Sequence, residues 1–225
     1  MELKSVVPWG RKLSEYQEMF SLNSADLKKK ILGCGDGPAS FNKELTELGG
    51  NVVSIDPVYQ FSTEEIRSRI EEVYPEIMSQ MEKNRDKYIW GVIANVEELG
   101  RVRMEAMENF LGDYNSGKQA GKYVNAALPK LSFQDKEFEL ALCSHYLFLY
   151  SEHVNQAEHL LSIKELCRVS KEVRIYPLLA LDGLKSRHLE PVISLLENSG
   201  FYVSLEPVQY QFQKGATEMM VVKNV

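Results

Sequence analysis

The chain has 225 residues, 44% of them apolar, and 26 Lys and Arg against 32 Asp and Glu give a formal net charge of −6. That size suits one large domain, or one domain with an insertion, and that charge argues against long phosphate backbones as partners, which demand a basic face. No run of about eighteen apolar residues occurs, which argues against a membrane span, and the scattered Cys34, Cys143 and Cys167 offer neither a disulfide framework nor a zinc pattern and fit a reduced, cytoplasmic setting.

Met1 to Gly10 lacks the apolar stretch of a secretory signal. Leu13, Tyr16 and Phe20 recur at helical spacing and predict an amphipathic helix over 11–21. A strand is predicted over 29–32, ended by the glycine-rich stretch ILGCGDGP, 31–38. Beyond Pro38, which suits a first helical turn, Phe41, Leu45 and Leu48 share one helix face, and Gly49-Gly50 stops that helix. NVVSID, 51–56, is dense in β-branched residues and predicts a second strand. Strand, loop, helix and strand make a βαβ unit, and hence a parallel sheet covered on both faces.

From 61 to 120 the pattern is mostly helical. Ser62 and Glu65 form a capping box, Ile66, Ile70, Val73 and Ile77 continue the face, and Pro75 is expected to kink or split the helix. A second helix is predicted over about 96–111, capped by Asn95, with Leu99, Val102, Ala106 and Phe110 inward, before a loop, GDYNSGKQAGK. So much chain exceeds an ordinary crossover and reads as a helical insertion, 61–120, within a single domain, 1–225, that also carries an N-terminal helical extension, 1–28. The alternation resumes with KYVNA as a third strand and FELALCS, 138–144, as a fourth. A helix over 153–169 follows, with Val154, Leu161 and Cys167 among its apolar positions, then EVRIY as a fifth strand and a helix over about 188–198. FYVSLEPVQYQF, a Lys214-Gly215 turn and TEMMVVKN predict a hairpin whose last strand is antiparallel to its neighbour.

A glycine loop between the first strand and helix of a βαβ unit turns backbone amides and a helix N-terminus toward a nucleotide. A dinucleotide fingerprint needs a third Gly or Ala where Pro38 stands, and the Walker Lys-Ser or Lys-Thr is absent. What remains is G-x-G-x-G at Gly33, Gly35 and Gly37, with Asp56 at the end of the second strand, where the two hydroxyls of a ribose can donate to its carboxylate. Cys34 reads as a packed small residue, since no basic neighbour lowers its pKa.

These stretches resemble class I S-adenosylmethionine-dependent methyltransferases. ILGCGDGP looks like their first motif, VVSIDP like their second, and LPKLSFQDKEFELALCSH like the approach to their fourth strand; the final hairpin matches their reversed seventh strand. The resemblance covers about 29–57 and 122–225. It implies an α/β, Rossmann-like, seven-stranded and mostly parallel sheet with helices on both faces and an antiparallel C-terminal strand. It also implies S-adenosylmethionine as cofactor, held by Gly33, Cys34, Gly35, Asp36, Gly37, Asp56 on the ribose, Pro57, Asn125, Ala126 and Ser144. Two positions depart from the family. The acid two places before the first glycine is Ile31 here, for which Asp36 compensates unless it caps the following helix, and the Asp that meets the adenine amine is Asn125, whose side-chain oxygen can accept the same bond.

Ser144-His145-Tyr146 lies past the fourth strand, at the edge where open α/β sheets bind ligands. In-line methyl transfer needs alignment and, for an oxygen or nitrogen nucleophile, a base; His145 is the candidate, with simple contact to cofactor or substrate as its other reading. Trp9, Arg11 and Tyr16 are placed to close over the cofactor, with Arg11 on its carboxylate, or to pack on the sheet edge. Tyr59, Phe61, Tyr88 and Trp90 are candidates for an acceptor pocket or for core. His153 and His159, with Glu152 and Glu158, lack same-face metal spacing and read as solvated helix residues, so no metal is expected. Cys-Ser-His-Tyr stands where amine methylases of nucleic acid carry Asn/Asp-Pro-Pro-aromatic, and Leu142 rather than Pro precedes Cys143. A small-molecule acceptor follows, with no nucleic acid and no membrane as partner. The alternatives are a non-catalytic protein that binds the cofactor as a sensor or interaction module, and a nicotinamide oxidoreductase whose fingerprint this loop lacks.

Overall fold

The structure, a computed structural model, describes residues 7–224; residues 1–6, and with them most of the Met1–Gly10 stretch, lie outside the described residues. The chain opens on α1 (Leu13–Met19), then β1 (Lys30–Cys34), α2 (Phe41–Glu47) and β2 (Asn51–Ile55), followed by two long helices, α3 (Thr63–Lys83) and α4 (Val96–Gln119). It continues through β3 (Tyr123–Val124), β4 (Phe138–Ser144), α5 (Gln156–Val169), β5 (Ser170–Tyr176), α6 (Leu189–Glu197), β6 (Phe201–Pro207) and β7 (Glu218–Asn224). Seven strands form one sheet in the order β3-β2-β1-β4-β5-β7-β6. The first five are parallel, and β7 runs antiparallel to both β5 and β6.

Burial on both faces explains the near-continuous apolar runs of the central strands. Ile31 packs with Phe41, Leu140 and Leu142 on the α1/α2 side, while Leu32 packs with Ala141, Leu166 and Val192 on the α5/α6 side. All three cysteines are buried and free. Among the described residues no helix is long and apolar enough to cross a membrane.

Several elements differ from expectation. Pro75 does not split α3, which runs unbroken from Thr63 to Lys83; Pro75 and Glu71, whose carbonyl loses its helical donor, are both exposed, so water meets that carbonyl. GDYNSGKQ continues α4 instead of forming a loop. Tyr114 is drawn into an aromatic cluster with Tyr59, Phe110 and Tyr123, and its hydroxyl donates to the Tyr59 and Phe61 carbonyls at 2.8 and 3.0 Å. Tertiary packing overrides weak helix propensity here. Leu48 is 75% exposed because α2 ends at Glu47 and position 48 leaves the helical face. Leu161 is 55% exposed because His159, Ile163 and Leu166 form the inward face of α5. Val102 is only partly buried; Arg103 takes the inward place. The β6–β7 connection is not a tight turn: 208–217 lie between the strands and fold over the sheet edge.

Candidate functional site

The loop after β1 turns over the carboxyl edge of the sheet. Gly35 and Gly37 have φ of +69° and +53°, the left-handed region that side chains disfavour. A Cβ on Gly33 would stand 1.9 Å from Asp36 Oδ2, and one on Gly35 would stand 2.9 Å from Tyr146 Cβ. Tyr59, fully buried, supports the loop from below by donating to the Gly37 carbonyl at 2.7 Å. Gly35→Val combines strained φ with a clash against Tyr146, so it is expected to abolish binding of the cofactor that the sequence resemblance implies; unchanged affinity for S-adenosylhomocysteine in a folded variant, read by calorimetry, would contradict this placement.

Two carboxyl groups serve the loop differently. Asp56 accepts from the backbone N–H of Gly37 at 2.9 Å and of Val58 at 2.8 Å, capping the short 3-10 turn Pro57–Gln60. Burial raises its pKa, and each oxygen keeps a further lone pair for a donor. Asp36 does not cap α2. It folds back beneath the loop and accepts from the Tyr16 hydroxyl at 2.8 Å and the Ser54 hydroxyl at 2.6 Å. Burial pushes its carboxyl up to about 7. Tyr16 is fixed for this by stacking on Phe41 at 4.0 Å.

Arg11 stands in the same chamber with an incomplete set of partners. Its guanidinium donates to the Trp9 carbonyl at 3.1 Å, and its Nε is buried with no partner among the described residues. Burial and the neighbouring Arg103 lower its pKa without discharging it. Glu15 acts on the Arg11 charge from nearby, but both Glu15 oxygens are bonded to Arg103 at 2.6 Å and one also accepts from the Tyr210 hydroxyl at 2.8 Å. Burial opposes the Glu15 charge, but Arg103 beside it holds the carboxyl at about 2.

Past β4, His145 adopts φ of +50°, its N–H donates to the Tyr176 carbonyl at 2.8 Å, and its Nδ1 lies 3.0 Å from Ser144 Oγ. Burial, with Arg11 and Arg103 nearby, pushes its pKa well below the usual range, so the imidazole is neutral at pH 7.

These groups line two cavities that share Val7, Gly35, Gly37 and Asp56 in their walls. One, of about 370 Å³, is lined by Cys34, Ile55, Pro57, Val58, Phe61, Ala126, Leu128 and Tyr146. The other, of about 120 Å³, has Arg11, Tyr16, Asp36, Ser144 and His145 at its polar end and Trp9, Ile77, Met81, Tyr88, Leu149 and Phe212 over it. Tyr88 stacks on Phe212 at 4.9 Å, and the backbone bonds Ile89 N–H to Phe212 carbonyl (2.8 Å) and Lys214 N–H to Lys87 carbonyl (3.0 Å) join the roof's two segments.

The sequence-derived candidates therefore converge, apart from two. Asn125 is exposed and lines neither cavity, although Ala126 beside it does; Gly33 serves Asp36 rather than a cavity. Of the four aromatics, Tyr88 roofs the small chamber, Phe61 borders the large one, Tyr59 is core, and Trp90 lies outside both. His159 is a correction: it is fully buried against Phe148, not solvated, while His153 is exposed and precedes α5. The Glu15–Arg103–Tyr210 cluster, Ser54 and Asn42 carried no sequence signal, since an isolated Arg on a helix ordinarily faces water.

No family model matches the chain. The uncharacterized protein MJ0045 of Methanocaldococcus jannaschii is 32% identical over 228 residues, spanning 99% of this chain and 98% of that protein. The chain belongs to that protein's family. Among solved structures, the mitomycin 7-O-methyltransferase MmcR aligns with a TM-score of 0.50 at 12% identity, over 95% of this chain and 54% of its own. A putative S-adenosyl-L-methionine-dependent methyltransferase of Methanococcus maripaludis aligns at 0.48 and 8%, over 95% and 83%. The PH0226 protein of Pyrococcus horikoshii aligns at 0.47 and 14%, over 88% and 82%. With the strand order above, the first of these likenesses gives the chain the fold of class I S-adenosylmethionine-dependent methyltransferases.

Proposed function

We propose that the chain is an S-adenosylmethionine-dependent methyltransferase that acts on a small-molecule acceptor. One observation carries the reading. Gly35, Gly37 and Asp56 line both a nucleoside-sized cavity and a chamber in which, among the described residues, a guanidinium with no bonded carboxylate and a carboxyl with no bonded cation face the same space. A nucleoside that ends in an amino-acid zwitterion complements both halves.

In this reading the residues fit the group. Gly35 and Gly37 give it a bare backbone, Asp56 accepts the ribose hydroxyls, and Cys34, Pro57 and Ala126 border the base; Asn125 would need its side chain to turn inward. Asp36 meets the ammonium, Arg11 the carboxylate, and Ser144 the adjoining wall. When bound, S-adenosylmethionine supplies a methyl group on a sulfonium centre. His145, neutral and facing the chamber, takes a proton from the acceptor's O–H or N–H. The apolar roof excludes water from the exchange. We assign one domain over 1–225, in which 1–28 and 61–120 supply Arg11, Tyr16 and, with Trp9, Ile77, Met81 and Tyr88, part of the roof; three buried free cysteines fit a cytoplasmic setting. The competing reading is a non-catalytic cofactor sensor, favoured by Ile31 at the family's acidic position; it expects binding without turnover.

Thermal melting with S-adenosylhomocysteine tests the proposal. Ligand at a hundred times its dissociation constant is expected to add about 2.7 kcal/mol, a rise of roughly 5–10 °C for this size. Asp56→Ala is expected to remove about 1.5–3 kcal/mol of that affinity. No shift and no heat of binding would reject the cofactor.

A further inference from the structure

In the methyltransferase reading the cofactor takes up every charged group of the small chamber. Among the described residues, the charged side chains that line it are Arg11, Asp36 and Asp56. Arg11 and Asp36 go to the amino-acid end and Asp56 to the ribose. Three tyrosine hydroxyls of the lining are also committed. Tyr16 donates to Asp36 at 2.8 Å, Tyr210 to Glu15 at 2.8 Å, and Tyr176 to the Tyr210 and Ala216 carbonyls at 3.2 and 3.0 Å. An acceptor seated here meets the ring of His145, whose Nδ1 is turned to Ser144 at 3.0 Å, beneath a roof of Trp9, Ile77, Met81, Tyr88, Leu149 and Phe212.

This lining restricts the acceptor in charge, size and shape. A charged acceptor would bury its charge without a partner, which is costly. Arg11, with Arg103 close by, would also repel a cation. An apolar cavity of about 150 Å³ holds one benzene ring. The chamber, at about 120 Å³, must also hold the amino-acid end, so one ring is the limit. Trp9, Tyr88 and Phe212 are aromatic, and Tyr88 is set by stacking on Phe212 at 4.9 Å. A ring beneath them gains edge and face contacts that an aliphatic body of equal area does not. The base favours the same body. Burial, with Arg11 and Arg103 nearby, pushes the His145 pKa well below the usual range, which makes the imidazole a weak base. A weak base suits a phenol, which titrates near about 10, better than an aliphatic alcohol.

We propose that the acceptor is an uncharged compound of a single aromatic ring carrying a hydroxyl, seated between His145 and the roof of Trp9, Tyr88 and Phe212, and methylated on the phenolic oxygen. This assignment rests on the methyltransferase reading. The acceptor's O–H bond breaks and its proton goes to Nε2 of His145. The oxygen's electron pair forms the bond to the methyl carbon, whose bond to sulfur breaks with its pair left on the sulfur. Trp9, Tyr88 and Phe212 bind and orient the ring.

Titration calorimetry of the full chain tests this, first with S-adenosylhomocysteine and then, at saturation, with 4-methylphenol. The phenol is expected to bind the loaded chain. Benzoate, benzylamine and the two-ring 2-naphthol are each expected to bind at least about tenfold more weakly, and 4-methylcyclohexanol about threefold to tenfold more weakly. Tyr88→Leu and Phe212→Leu are expected to weaken 4-methylphenol by about threefold to tenfold and to leave the affinity for S-adenosylhomocysteine unchanged. With S-adenosylmethionine instead, the phenol is expected to leave as its methyl ether, read by mass. No heat with S-adenosylhomocysteine would reject the cofactor reading and this assignment with it. Heat with S-adenosylhomocysteine but none with 4-methylphenol, or charged or two-ring compounds that bind as tightly, would overturn the assignment alone. Unchanged phenol affinity in both variants would overturn the seat beneath the roof. Phenol binding with no ether formed would overturn its role as acceptor.

Discussion

Asp36→Asn is expected to raise the melting temperature of the ligand-free chain at about pH 8 by roughly 5–15 °C, and to flatten its dependence on pH. The folded chain holds this carboxyl at about 7 because burial opposes its charge, against 3.8 for an ordinary aspartate. Between those values the folded state keeps a proton that the unfolded state has lost, so stability falls as pH rises from about 4 to 7. Above 7 the whole penalty is present, on the order of 4 kcal/mol, and below 3.8 it is gone. Asn keeps the shape and the bond from Tyr16 but has no charge to bury. The same change removes the proposed partner of the ammonium, so affinity for S-adenosylhomocysteine is expected to fall about 10- to 150-fold. In the unaltered chain that affinity is expected to rise with pH up to about 7, because binding must first release the proton. A variant that melts lower at high pH and keeps the original pH slope would contradict the assignment.

The second large effect concerns Glu15. Glu15→Ala leaves Arg103 buried without its bidentate carboxylate and removes the carboxylate charge that also favours Arg11 beside it. Breaking a buried pair from one side costs about 3–5 kcal/mol, roughly 6–20 °C here. Glu15→Gln/Arg103→Met removes both charges and is expected to recover most of the loss, since replacing both members of a buried pair is often neutral. The pH dependence has the opposite sign to that of Asp36. Arg103 lowers the Glu15 carboxyl from 4.5 to about 2, so its contribution is complete above 4.5 and is lost as pH falls toward 2. Denaturant melts of the two variants check this. A double variant no more stable than the single one would show that packing, not charge pairing, sets the cost.

The readable parts of the chain were those with local causes. The parallel core follows from β-branched runs such as NVVSI, and the glycine loop from positive φ at Gly35 and Gly37. Ser62 and Asn95 each accept from a backbone N–H in the first turn of the helix they precede. What was hidden depends on contacts between distant segments. Residues 112–119 look like a loop until Tyr114 meets Tyr59, Phe110 and Tyr123. Ile31, which stands where the resembling family keeps an acid, is fully buried, and the carboxyl that faces the chamber comes instead from Asp36. That placement requires Gly33, whose Cβ would occupy the carboxylate's position, and Ser54 on another strand. Periodicity cannot report such a juxtaposition. Nor can it report that Glu15, Arg103 and Tyr210, from three remote segments, form one buried cluster in which both Glu15 oxygens are bonded away from Arg11.

The most direct test of the two-cavity account is calorimetry of S-adenosylhomocysteine against 5′-methylthioadenosine, which has the same nucleoside but no amino-acid end. The amino-acid end is expected to improve affinity about a hundredfold or more, through charge-assisted bonds to Arg11 and Asp36. Equal affinities would mean that the chamber does not hold the zwitterion, and that Arg11 serves some other anion.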